Sequence, residues 1–161
     1  MLITNYSFPL KLIAILGCGL IAGVFFAFST FVMPALAKLE AFQGIAAMQS
    51  INIKAINPWF MTALFGTAVV CLFLIIFSLL KFYHPTSIYL IVGSLLYLVG
   101  TVGVTIAFNV PLNDALAKVV NSTEGAELWA RYLITWTLWN HVRTVAALIS
   151  TALFAIALRL T

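Results

Sequence analysis

A chain of 161 residues that is 64% hydrophobic and 7% charged lacks the composition of an ordinary soluble domain, in which about 25% of residues are charged. Its formal charge of +4 is scattered, with no Lys/Arg run and no aromatic-basic interleaving. That argues against nucleic acid as a partner and leaves membrane lipid headgroups to meet the basic side chains. Uncharged stretches run over 12–37, 55–80 and 82–113, and a fourth over 132–158 is broken only by Arg143. Each holds the roughly 20 residues of a membrane span, so the expectation is an all-α integral membrane four-helix bundle, one multi-pass transmembrane domain over residues 1–161.

In chain order, helix 1 is predicted over about 10–36, with Gly19, Gly23 and Ala27 as a small-residue stripe for close helix approach. Ile15-Leu16-Gly17-Cys18 is close to a lipidation box, but the apolar run between Lys11 and Cys18 is short and continues past the cysteine to Leu36, which favours a retained span. Cys18 and Cys71 both fall inside spans and read as packing thiols. Residues 38–56 form a short amphipathic helix, with Glu40, Gln43, Ser50 and Lys54 on its polar side and Leu39, Phe42, Ile45, Ile53 and Ile56 on its apolar side. Gln49 projects near the centre of that apolar side and Asn52 at its edge, where an amide needs buried partners.

Asn57-Pro58 is an N-cap followed by a first-turn proline, so helix 2 is predicted over 58–81. Helix 3 follows over 87–108, with Gly93, Gly100 and Gly103 as close-contact candidates. Asn109-Val110-Pro111-Leu112-Asn113-Asp114 then ends or kinks it, because proline removes a backbone donor. A brief helical piece over 115–120 and a turn over 121–125 lead to helix 4 over 126–158, which includes a helical extension before its membrane span.

Helix 4 carries the most informative pattern. Trp129, Tyr132, Trp136, Asn140 and Arg143 recur at offsets of 3, 4 and 7, which places them on one helical face. Between Arg143 and Arg159 lie 15 residues, or about 22 Å of helix, less than the roughly 30 Å of a bilayer core. Arg143 therefore sits inside the bilayer or just under its surface, where an ionisable side chain signals a functional site. In an up-and-down bundle the same end also holds Gln49, Asn52, Asn57, Asn109, Asn113, Asp114 and His141, so a polar, aromatic-walled cavity is expected at one mouth. A plainer account competes with it: asparagines cap helices, tryptophans form interfacial belts, and arginine snorkels. No metal or other cofactor is expected. His84 and His141 lie at opposite ends, His141, Asp114 and Glu127 lack helical metal spacing, and phosphate-loop, dinucleotide and nucleophile-elbow motifs are absent.

Gly23-Val24-Phe25-Phe26-Ala27-Phe28-Ser29 with Val32-Met33-Pro34-Ala35-Leu36, then Ala47-Met48-Gln49-Ser50-Ile51-Asn52, Asn109-Val110-Pro111-Leu112-Asn113, and Trp136 with Trp139-Asn140-His141-Val142-Arg143-Thr144 together resemble the anthrone oxygenase family. This is a family of small four-helix membrane proteins, most of them uncharacterised bacterial members, and the resemblance implies a bacterial inner (plasma) membrane. Its fungal relatives act on anthrones, whose methylene, once deprotonated, gives a phenolate-like anion that reacts with oxygen without a metal. What the resemblance implies is a cofactor-independent oxygenase-like protein for a lipophilic, anthrone-like aromatic. Trp129, Tyr132 and Trp136 would wall the slot, Arg143 and Asn140 with Gln49, Asn52, Asn109 and Asn113 would hold the substrate and its oxygen, and His141 or Asp114 would be the base. The alternative is a non-catalytic membrane protein that binds a lipid or small ligand or serves as a partner subunit, with a homo-oligomer left open. A proton-coupled transporter is disfavoured because no acid lies mid-span. The density of Lys/Arg on the short connections favours cytoplasmic termini and an external polar mouth.

Overall fold

The computed structural model describes residues 2–80, 84–119 and 123–160, and among them it is helical with no strand. Helix α1 runs through Leu2–Ala27, a π turn at Phe28–Val32 and a last turn at Met33–Leu36. The short α2 is Ala41–Ala55. Helix α3 is Pro58–Leu80 with a π turn at Thr62–Gly66, α4 is Ser87–Ala117, and α5 is Thr123–Arg159. Four of these, over Phe8–Leu36, Pro58–Leu80, Ser87–Ala117 and Gly125–Arg159, are long and apolar enough to cross a membrane. The chain is a multi-pass integral membrane protein, an all-α membrane helical bundle.

Local chemistry explains the boundaries. Asn57 caps α3, its Oδ1 accepting from the Phe60 N–H at 3.0 Å, with Pro58 in the first turn. Of the two outcomes expected at Asn109–Asp114, an end or a kink, the end does not hold, because α4 continues to Ala117. Two π turns, Leu96–Gly103 and Thr105–Asn109, precede the proline, and Val110 N–H reaches back five residues to the Thr105 carbonyl. The widened turn relieves the clash of the proline ring with the preceding turn, so the helix passes through. Helix α1 likewise begins at Leu2 rather than near residue 10, and α2 is confined to Ala41–Ala55. Part of the predicted 115–120 piece is therefore the end of α4; Val120, Asn121 and Ser122 lie outside the described residues, and the rest of the turn expected over 121–125 is already the first turn of α5, which starts at Thr123 rather than 126.

With little hydrophobic drive between helices in lipid, packing rests on close approach and interhelical hydrogen bonds. A Cβ on Gly93 would lie 2.9 Å from the Phe154 ring, and one on Gly100 would lie 2.6 Å from Ala146 Cβ, so these two glycines bring α4 against α5. Gly103 would meet only the Leu98 carbonyl of its own helix, at 3.4 Å. The stripe expected on α1 is not the tight seam: Gly23 meets nothing within 4 Å, and Gly19 touches Thr151 at 3.9 Å. The tight position is Gly17, where a Cβ would collide with the Thr67 hydroxyl of α3. Cys18 and Cys71 are free, buried thiols in the same core cluster. At the far end of the bundle Lys11 is buried and donates to the Ala157 carbonyl at 3.4 Å, in the last turn of α5, where helix carbonyls are unsatisfied and a cation is favoured.

Candidate functional site

Of the four π segments among the described residues, three, in α1 and α4, supply Ser29, Thr101 and Thr105 to the surroundings of Arg143. At the α1 bulge, Asn140 Nδ2 donates to the Phe25 carbonyl and to Ser29 Oγ, both at 2.6 Å, so a side chain from α5 occupies backbone acceptors next to the irregular turn. Asn140 Oδ1 accepts from Arg143 Nη2 at 2.6 Å, and Arg143 Nη1 donates to Thr105 Oγ1 at 3.2 Å. Thr101 Oγ1 donates to the Arg143 carbonyl at 3.4 Å. Arg143 Cζ lies 4.1 Å from the Phe25 ring centroid and 5.2 Å from that of Trp136, so the guanidinium is held between two π faces.

This cation is 4% exposed, and its hydrogen-bond partners among the described residues are neutral oxygens. Among the described residues its Nε has no partner, and neither does the buried Asn109 Oδ1. Asn109 sits one layer nearer the mouth, its Nδ2 donating to the Trp136 carbonyl at 3.2 Å. One turn further on, Asn113 Oδ1 accepts both Tyr132 Oη and Trp136 Nε1 at 2.8 Å. These bonds fix a stacked column of rings, Trp129 to Tyr132 at 5.6 Å and Tyr132 to Trp136 at 6.0 Å, with Phe28 a further 5.9 Å from Trp136. The five-residue stripe of α5 is thus wholly buried, from 0% exposed at Asn140 to 5% at Trp136.

The remaining candidates fall outside this network or at its edge. Asn52 is half-buried on α2. Gln49 does not join Arg143: its Nε2 donates to the carbonyls of Leu116 and Val119, at 2.9 and 3.3 Å, and so satisfies the end of α4. Asp114 and His141 are exposed, on the outward faces of α4 and α5, and the structure does not bring them to the guanidinium. Sequence reasoning missed Phe25, Ser29, Thr101 and Thr105 as site residues. A signal for two of them exists: Thr101, Thr105, Asn109 and Asn113 recur every fourth residue in an otherwise apolar span. Among the described residues no group of three or more His, Cys, Asp or Glu could hold a metal ion.

Beside the network, an open groove of about 520 Å³ runs between α2, the end of α4 and the start of α5, lined by Phe42, Ile45, Gln49, Val119 and Gly125 among others.

Fold and site together define a multi-pass helical membrane protein with an arginine buried under an aromatic column and hydrogen-bonded, among the described residues, to neutral oxygens. The anthrone oxygenase family model matches residues 57–153, more than half of the chain, and the chain belongs to that family. The matched region contains Asn109–Asn113 and Trp136–Arg143, and leaves out the Phe25–Ser29 turn and α2. Comparison with curated proteins and with solved structures returned no match.

Proposed function

We propose that this protein is an oxygenase-like membrane enzyme that needs no cofactor and acts on a lipophilic, anthrone-like aromatic, whose oxyanion it holds against Arg143. The observation that carries this reading is the buried guanidinium between Phe25 and Trp136 with Nε unpartnered and neutral oxygens as its hydrogen-bond partners. A buried cation without a counter-charge is costly, and a buried donor without an acceptor adds to the cost. A substrate oxyanion would relieve both, while the flat π faces suit an aromatic body. Asn109 Oδ1, also unpartnered, is an acceptor for a substrate hydroxyl.

The chemistry follows from differential binding. A cation that binds the ring-stabilised anion more tightly than the neutral ketone makes the methylene opposite that ketone easier to deprotonate. The carbanion adds oxygen to give a hydroperoxide, which loses water to leave a second ketone, so that CH2 and O2 become C=O and H2O. Exposed His141 and Asp114 do not face the guanidinium, so this reading gives the proton to a base from solvent rather than to either side chain. We place the protein in a bacterial plasma membrane with cytoplasmic termini, surrounded by lipid that also dissolves the substrate. The test is oxygen uptake by purified protein supplied with anthrone, with the quinone product carrying one atom of labelled oxygen gas. Uptake equal to that of protein-free lipid would refute the proposal.

A further inference from the structure

The network just described is closed. Arg143 and Trp129 are each 4% exposed and Tyr132 is 2% exposed, so a ligand reaches the guanidinium only if something moves. We propose that α2 is a lid over the aromatic column, and that the groove along its edge is a portal through which a lipophilic aromatic passes from the bilayer to Arg143. This inference rests on the function proposed above.

Helix α2 is built differently from the four spans. Its buried inner side is Gly44, Ile45 and Met48, the last two packing in one cluster with Leu116, Trp129 and Tyr132. At Gly44 a Cβ would lie 2.7 Å from Trp129 Cζ2, so the helix rests directly on the indole. Its polar tie to the end of α4 is Gln49, whose Nε2 donates to the Leu116 carbonyl, which also accepts the Val119 N–H at 3.2 Å, and to the Val119 carbonyl, which water can satisfy when the amide departs. Turns bound it at both ends. Asn57 pins the end that would be the hinge, since its Nδ2 donates to the Lys54 carbonyl at the end of α2 while its Oδ1 caps α3, so the lid would swing about a tied point.

The outer side states which phase the lid opens towards. Phe42, Ile53 and Ile56 are 60%, 70% and 76% exposed, and Trp59 just beyond the hinge is 87% exposed. Large apolar and indole side chains on an amphipathic helix between two spans belong in the headgroup-acyl boundary. The groove lies on the seam that Gln49 spans, with Ile45 and Val119 beside it, and its volume of about 520 Å³ falls within the range of roughly 300–1,000 Å³ typical of small-molecule sites. A substrate dissolved in the acyl layer meets Phe42 first, then the seam, then Trp129.

The experiment uses the full chain in lipid nanodiscs, with anthrone under argon as the probe and quenching of tryptophan fluorescence as the signal. Gln49→Cys with Val119→Cys, joined by a cleavable bis-maleimide, should slow association at least tenfold and dissociation in parallel, leaving Kd within about threefold. Cleaving the linker should restore both rates. Unchanged rates in the cross-linked protein would overturn the portal. Gln49→Ala, read without ligand by amide hydrogen exchange, should let residues 41–55 exchange together at least tenfold faster while α1 and α4 keep their protection. If α2 is as protected as α5 in the parent and in Gln49→Ala, there is no lid. Failure of anthrone to bind to any form, Arg143→Met included, would instead refute the proposed function and the portal with it, while the exchange measurement still decides the lid.

Discussion

Replacing Arg143 by methionine should cost little stability, and replacing its partner Asn140 by alanine should cost more. Burying a cation at mid-helix carries a penalty of roughly 2.5–3.5 kcal/mol on an insertion scale. Against it stand two ring contacts, at 4.1 and 5.2 Å, of about 0.5–2 kcal/mol each, and hydrogen bonds to Asn140 and Thr105 at 2.6 and 3.2 Å. Removing the whole side chain removes both columns, and methionine refills much of the space, so we expect a change within about 2 kcal/mol of the parent. Asn140→Ala keeps the cation and strips its shortest bond, about 1.5–3 kcal/mol for a charged partner. It also deprives the Phe25 carbonyl of its donor, an interhelical bond averaging about 0.6 kcal/mol in membranes. The expected loss is about 2–4 kcal/mol. Reversible unfolding followed by circular dichroism in one detergent gives both values, and oxygen uptake on anthrone should fall to background in both variants. If Arg143→Met proved more than about 1 kcal/mol less stable than Asn140→Ala, the arginine would be structural glue and the argument for an anion site would fail.

Arg143→Lys should lose most turnover while keeping its charge, because an ammonium cannot reproduce the planar fork held between Phe25 and Trp136; kcat on anthrone within twofold of the parent would contradict this. Trp136→Ala should raise KM for anthrone more than it lowers kcat, since it removes a wall and not the charge, and steady-state kinetics would separate the two. His141→Ala and Asp114→Asn, both exposed, should leave oxygen uptake within about twofold, and a hundredfold loss in either would restore that residue as the base. Gly93→Ala should destabilise by about 1–3 kcal/mol in detergent melts, because the new methyl group presses on the Phe154 ring. A reporter fused after Thr161 should be active on the cytoplasmic side, and external activity alone would invert the orientation.

The membrane bundle and the α5 stripe were legible because both are periodic signals. The phase that aligns Trp129, Tyr132, Trp136, Asn140 and Arg143 is the phase that buries them. The off-pattern position of Gln49 correctly announced an amide in need of partners. Those partners are backbone carbonyls at the end of α4, which no side-chain pattern advertises. Phe25 was hidden for the same reason, since its contribution to Asn140 is a carbonyl beside an irregular turn. His141 and Asp114 were chosen for their chemistry, but helical phase turns both outward. Pro111 read as an end or a kink because proline breaks regular helices, whereas here the preceding turn is not regular and the helix runs on. The ladder from Thr101 to Asn113 was open to reading, and its four-residue spacing would have named the α4 side of the site.

The wide turn at Thr105–Asn109 couples helix regularity to the chemistry of the site. Deleting exposed Ala107 would take out one residue and let the segment relax toward ordinary α geometry. A π turn holds about one residue more than the α turn it replaces, so the relaxation would absorb the loss, and Asn109 and Asn113 would keep facing Trp136 and Tyr132. Pro111 would instead meet the steric conflict that the loose turn now relieves. The same deletion in a regular stretch of α4 would turn every residue beyond it by about 100° about the helix axis, because one residue is 1/3.6 of a turn. The segment at 105–109 is therefore the place where α4 can lose a residue and still aim its amides at α5, at the cost of strain around the proline.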